Sequence, residues 1–101
     1  MSTFSVDSHK GSFFDILETT ENCQVATMTI QPGADSGAVG NHAGDQVVIS
    51  LAGAGEVEIA GDRHQVHAGE AIIIPAQTDH RAFNTGEEPW FFVNVYAPPA
   101  Y

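Results

Sequence analysis

One stretch limits what this chain can fold into more than any other: Gly61 to Asn84, GDRHQVHAGEAIIIPAQTDHRAFN. Gly69-Glu70 leads into four apolar residues, Ala71 to Ile74, and Pro75 stops the run. His80 follows, and then Asn84. Proline cannot donate to a β-ladder, so the apolar run reads as a strand that ends at Pro75. Beyond it the pattern predicts a sharp loop and a second strand that opens on a histidine. Because the run is apolar on both faces, it is expected to be a central strand.

The rest of the chain follows the same grammar of short strands and turns. Ser12 to Leu17 reads as a short strand or one helical turn. Cys23 to Ile30 alternates, with Gln24, Ala26, Met28 and Ile30 on one face, and its β-branched content favours a strand. Gly33 to Gly44 holds four glycines and reads as a long turn-rich segment with room for one short strand. Gln46 to Leu51 is a strong strand, broken by Ala52-Gly53-Ala54-Gly55. Glu56 to Ala60 has acids outward and Val57 and Ile59 inward. Gly61-Asp62 predicts a hairpin turn, with Arg63 to His67 returning. Trp90 to Tyr96 is the last long strand. Seven or more short strands between Gly/Pro turns indicate an all-β sandwich or barrel. A chain of 101 residues is expected to be one domain.

Charge excludes whole classes of function. Three basic residues (Lys10, Arg63, Arg81) face thirteen acidic ones, for a net charge of −10. Three cations cannot build a basic face, so neither nucleic acid nor an anionic membrane is an expected partner. No apolar run approaches the roughly 20 residues of a membrane helix. The N-terminal MSTFSVDSHKG lacks the pattern of a secretory signal. The single Cys23 permits no internal disulfide, which fits a reducing compartment and predicts a cytoplasmic protein. Cys23 itself reads as a small core residue.

The chemistry lies with two histidines and an amide. Divalent metals take neutral imidazole nitrogens and carboxylate or amide oxygens that converge on a point. On one straight strand His42 and Gln46 would lie roughly 13 Å apart, too far to share an ion. Ala43-Gly44-Asp45 brings them together if it turns, and the loop after Pro75 would aim His80 at the same place. Arg81 follows His80 and by alternation points away. His64 and His67 read as surface residues, His9 as solvent-exposed, and Asn84 as a structural hydrogen-bonder. Met28, Phe83, Trp90, Phe92 and Tyr96 read as core or cavity wall. Glu56, Glu58 and Asp79 read as exposed charges.

With those residues in place, the chain resembles the cupin family. The family's second motif runs glycine, five residues, proline-x-glycine, then proline, a short loop, histidine, three residues and asparagine. Gly61, His67-Ala68-Gly69, Pro75, His80 and Asn84 match it, with His67 where proline is usual. In the first motif, His42 stands at the second histidine, Gln46 where glutamate belongs and Gly53 at the closing glycine; Gly40 occupies the first histidine position. With one more residue in the spacing, the histidine positions fall on Val39 and Asn41. The resemblance covers about residues 30–97, and the closing NVYAPPAY is similar to that of small single-domain bacterial cupins.

The resemblance implies a single cupin-like β-barrel (a double-stranded β-helix or jelly roll) over residues 1–101, with a barrel core at about 23–97 and an N-terminal arm at about 1–20. It also implies a homodimer, which the short strands and the aromatic last strand favour as well. The function it implies is a small metalloprotein binding a small organic molecule in the barrel, with dioxygenase or isomerase chemistry. His42, Gln46 and His80 would hold Fe, Mn, Ni or Zn. The alternative is a metal-free cupin serving as a ligand-binding or regulatory module, a reading favoured by Gly40 and Gln46.

Overall fold

The computed structural model describes residues 2–101. The alternating segments form eight strands: β1 (Phe14–Thr19), β2 (Gln24–Ile30), β3 (Asp45–Ala52), β4 (Ala54–Ile59), β5 (Asp62–His67), β6 (Ala71–Ile74), β7 (His80–Phe83) and β8 (Trp90–Ala97). They build a five-stranded sheet, order β1-β2-β8-β3-β6, facing a three-stranded sheet, order β5-β4-β7. The fold is the expected all-β jelly roll. Among the described residues the one helical element is a 3-10 turn at Asp7–His9, and no helix is long and apolar enough to cross a membrane.

Register decides which side chains meet inside. Across the large sheet, Gln24, Tyr96, Gln46 and Ile74 form one inward row. The next inward row is Ala26, Asn94, Val48 and Ile72. On the small sheet Val57 pairs with Ala82 and Ile59 with His80. The core closes between the sheets on Ile30, Val48, Val57, Val66, Ile74, Ala82, Trp90 and Phe92. Full burial of such side chains contributes about 1.5–3 kcal/mol each. At the end remote from the histidines, Trp90 is fully buried. Its Nε1–H donates to Ser50 Oγ at 2.9 Å, and its ring lies 4.4 Å from that of Phe92.

Several expectations need correction. β6 is not central: it is an edge strand, and Ile73 is 62% exposed. Its two-faced apolarity comes from an outer apolar row, described below, and not from flanking strands. Phe83 is not a cavity wall. It shares the outer face of β7 with Arg81, and the Arg63 and Arg81 guanidiniums stand 3.9 and 5.0 Å from its ring centre. The hairpin turn falls one residue earlier than expected, at Ala60-Gly61, where both φ angles are positive (51° and 88°), the signature of a type I′ turn. Only Gly53 interrupts the chain between β3 and β4. His9 is half-buried, its Nδ1 2.9 Å from Asp15 Oδ2, and Cys23 is half-buried and free.

The outer face of the large sheet carries Val25, Val95, Val47 and Ile73 in one cross-strand row. Beside it runs a second row of Thr27, Val93, Ile49 and Ala71. On β1 the two rows end in carboxylates, Glu18 opposite Val25 and Asp15 opposite Thr27, so the uncharged part of the face spans β2, β8, β3 and β6.

Candidate metal centre

His42 and His80 come together because the Gly-rich segment before β3 is stitched to the loop after Pro75. Gly40 and His80 exchange backbone hydrogen bonds (2.8 and 3.0 Å). Gln77 N–H donates to the His42 carbonyl at 2.7 Å. Asn41 Nδ2 donates to Asp79 Oδ1 at 2.7 Å, and Ala76 N–H to Asp45 Oδ1 at 2.9 Å. The chain then bends through Ala43-Gly44 and enters β3 at Asp45. Gly44 is required in that bend, because a Cβ there would collide with the Ala97 carbonyl and the Pro98 ring.

The result is a pair of imidazoles with ring centres 5.1 Å apart, at the mouth of a cavity of about 70 Å³. Two imidazoles sharing one ion at metal–nitrogen distances of about 2.0–2.1 Å hold their ring centres roughly 5 Å apart. His80 Nδ1 lies 3.1 Å from the Thr78 carbonyl. A carbonyl only accepts, so Nδ1 carries a proton, and in the neutral ring Nε2 then keeps the lone pair that a metal ligand needs. Gln46, 6% exposed, reaches the same cavity from β3. Its Nε2 donates to Asn94 Oδ1 at 3.0 Å, and its Oε1 is buried without a partner. An orphaned buried oxygen costs about 1–3 kcal/mol, and an ion or a donor-bearing ligand in the cavity would remove that cost.

Gly40 holds more than an empty motif position. A Cβ there would lie 2.8 Å from His80 Nε2. The space of a side chain at position 40 is therefore occupied by the imidazole of His80. Among the described residues no three His, Cys, Asp or Glu side chains converge, so a metal here relies on the amide of Gln46 as third donor. The three residues fit an ion as a neutral His-His-Gln set. His64 and His67 are both exposed and absent from the cavity wall. Arg81 points outward, its Nη2 2.8 Å from Asp35 Oδ2. Asn84 is structural as expected, donating to the Ile30 and Glu88 carbonyls and accepting from Gly86 N–H.

Burial, then the neighbouring His80, hold the His42 imidazole below its ordinary pKa of 6.5. As pH falls, the unfolded chain therefore takes up this proton before the folded one. The stability gained by keeping His42 neutral is full above about 6.5 and is lost as pH drops through the folded value. In metal-free protein, an NMR titration of the imidazole carbons is expected to place His42 below 6.5. A midpoint at or above that value would mean that the ring is not desolvated.

Tyr96 and Tyr101 complete the mouth. Their ring centres lie 5.2 and 5.6 Å from that of His42 and 5.3 Å from each other. Burial first, then Tyr101, push the Tyr96 phenol well above its usual pKa, so it stays protonated. Tyr101 is held by Gln24, whose Nε2 donates to the Tyr101 carbonyl and whose Oε1 accepts from the Ala100 and Tyr101 N–H groups. Neither Asn94 nor Tyr101 has a local sequence signal. Both depend on cross-strand register, and a continued Gln46–Leu51 and Trp90–Tyr96 alternation indicates only that Asn94 faces inward.

A family model described as a cupin domain matches residues 26–96. A curated Bacillus subtilis (strain 168) protein, the uncharacterized YrkC, is 31% identical over 94 residues, covering 87% of this chain. The chain spans about half the length of that relative (50%). Among solved structures, BH2720 of Bacillus halodurans is 34% identical with a TM-score of 0.82, over 88% of this chain and 72% of that one. An uncharacterized conserved protein with a double-stranded β-helix domain from Klebsiella pneumoniae is 27% identical with a TM-score of 0.85, over 100% of this chain and 94% of that one.

Proposed function

The chain belongs to the cupin family, and from that premise we propose that it is a small metal-dependent protein whose barrel binds a small organic molecule beside a divalent transition metal. His42, Gln46 and His80 hold the ion, which is Fe, Mn, Ni or Zn; nitrogen and amide-oxygen donors accept all four. The observation that carries the reading is the coincidence of two neutral-capable imidazoles 5.1 Å apart with the orphaned, buried Gln46 Oε1. Bound there, the ion supplies Lewis acidity, kept high because no ligand neutralises its charge. The chain's own residues do the rest. Val48, Val57, Ile74 and Phe92 give the cavity dry walls, and Tyr96 and Tyr101 cover its mouth. A cavity of about 70 Å³ is small beside the roughly 300–1,000 Å³ of ordinary ligand pockets. The substrate is therefore a few atoms across, or enters as Tyr101 moves aside. The reaction class is oxygenation or isomerisation.

A metal-free ligand-binding module is the second reading. The space a side chain at Gly40 would need is filled by His80 Nε2, and no carboxylate joins the cluster. The test is elemental analysis of protein purified without an affinity tag or chelator, before and after reconstitution with each metal. Near-stoichiometric metal supports the first reading. None after reconstitution overturns it in favour of the second.

The partner proposed for the outer face of the large sheet is a second copy of this chain. The row Val25, Val95, Val47 and Ile73 is uncharged on a molecule of net charge −10. Its part on β8, β3 and β6, away from Glu18 at the β1 end, is therefore where two acidic copies can meet with the least like-charge repulsion, and a two-fold contact sets apolar rows on themselves. Ile73→Lys is expected to shift a dimer to monomer in light scattering coupled to gel filtration. A monomeric wild type at micromolar concentration would remove the proposal.

A further inference from the structure

We propose that Asn94 is a positioning residue: it fixes the amide of Gln46 so that the carbonyl oxygen, and not the NH2 group, faces the cavity. The inference rests on the metal reading above and concerns which atom of this side chain is offered to the ion. An amide has two nearly isosteric ends with opposite hydrogen-bonding character. In an apolar cavity a free glutamine would present either end, and half of its orientations would aim N–H groups at a cation. The register of β3 with β8 removes that freedom. Gln46 lies opposite Tyr96 and Val48 opposite Asn94, so Asn94 is the diagonal neighbour of Gln46 on the inner face. Asn94 is 1% exposed, its Oδ1 accepts from Gln46 Nε2 at 3.0 Å, and Gln46 Oε1 is left buried without a protein partner.

His80 is oriented in the same way. The Thr78 carbonyl takes the Nδ1 proton of His80 and leaves Nε2 bare. Asn94 does for an amide what that carbonyl does for an imidazole. Each support takes up one hydrogen-bond donor of a ligand, the Nδ1 proton of His80 and one of the two Nε2 protons of Gln46. In a chain with glutamine at this place, such a support is needed; a carboxylate would offer an oxygen at either end.

The test is calorimetric titration with cobalt(II) chloride, with thermal melts of every variant. Asn94→Leu keeps the volume and removes the acceptor, and is expected to weaken cobalt binding by about 10–100-fold. Asn94→Asp keeps only acceptors, and is expected to bind as tightly as wild type or more tightly. Gln46→Leu weakens binding on its own, and Asn94→Leu adds nothing in that background, because its effect passes through Gln46. A merely structural Asn94 would weaken the double variant further, and that result overturns the proposal. So does unchanged cobalt affinity in Asn94→Leu. If Asn94→Leu gives no cooperative melt, Asn94→Asp decides, and a loss of more than about tenfold overturns the proposal. Normal binding in wild type and Gln46→Leu alike overturns the inference while leaving a metal on the histidines. Absence of cobalt binding in wild type overturns both.

Discussion

Gly55→Ala is expected to cost at least about 3 kcal/mol of stability, the upper end of the ordinary range for overpacking a core. In a domain of this size that lowers the melting temperature by roughly 12–24 °C. The reason is local and rigid. Gly55 lies on β4 opposite Val66, and a Cβ there would collide with two indole carbons of Trp90 and lie 2.7 Å from the Phe83 carbonyl. The indole cannot retreat. Its N–H is held by Ser50, Phe92 packs against its ring, and the side chain is fully buried. The carbonyl belongs to the ladder between β4 and β7. Gly86→Ala is the matched control, since a Cβ there meets Asn84 Oδ1 at an ordinary 3.5 Å; it is expected to stay within about 0.5 kcal/mol of wild type. Circular dichroism melts of the two variants make the comparison. A Gly55→Ala protein melting within a few degrees of Gly86→Ala would mean that Trp90 is not seated against β4.

Strand identity was legible in the sequence from alternation and β-branched content, even in β2, whose outward Thr27 and Thr29 are buried as well. The alternation of Gln24 to Ile30 and of Glu56 to Ile59 maps directly onto inward and outward faces. It failed where an apolar residue faces outward for another reason. Ile73 made β6 look central because the outer face of the large sheet is itself apolar. Phe83 looked like a wall residue, although its separation from Arg81 by two already placed it on the outer face. At the site, motif spacing brought His42, Gln46 and His80 to one cavity, and the geometry places all three on its wall. What the spacing could not carry is anything set by register or by chain return. Asn94 meets Gln46 only through the offset of β3 against β8. Tyr101 reaches His42 only because Gln24, 77 residues earlier in the chain, holds its backbone. The glycine at position 40 read as a vacant ligand position, whereas in space that position is filled by His80.

His80→Ala is expected to abolish stoichiometric metal binding, weakening affinity by more than about 100-fold, since loss of a supporting group outside the ligand shell already costs about 10–100-fold. The margin is set by the ligand count. With a neutral amide as third donor and glycine at position 40, removing one imidazole leaves His42 and Gln46 alone, too few for a transition-metal site of ordinary affinity. The fold is expected to survive, because the His80 ring is only half-buried and its strand is held by backbone pairing with Gly40 and Ile59. An unchanged melt of the metal-free proteins separates ligand loss from unfolding. His64→Ala serves as the comparison: its imidazole is exposed and lines no part of the cavity, so metal content should not change. If His80→Ala retained its metal while His64→Ala lost it, the ion would sit at the exposed β5 edge of the small sheet, where His64 lies opposite Val57. The paired imidazoles at the barrel mouth would then be a packing contact, kept close by the backbone bridge between Gly40 and His80.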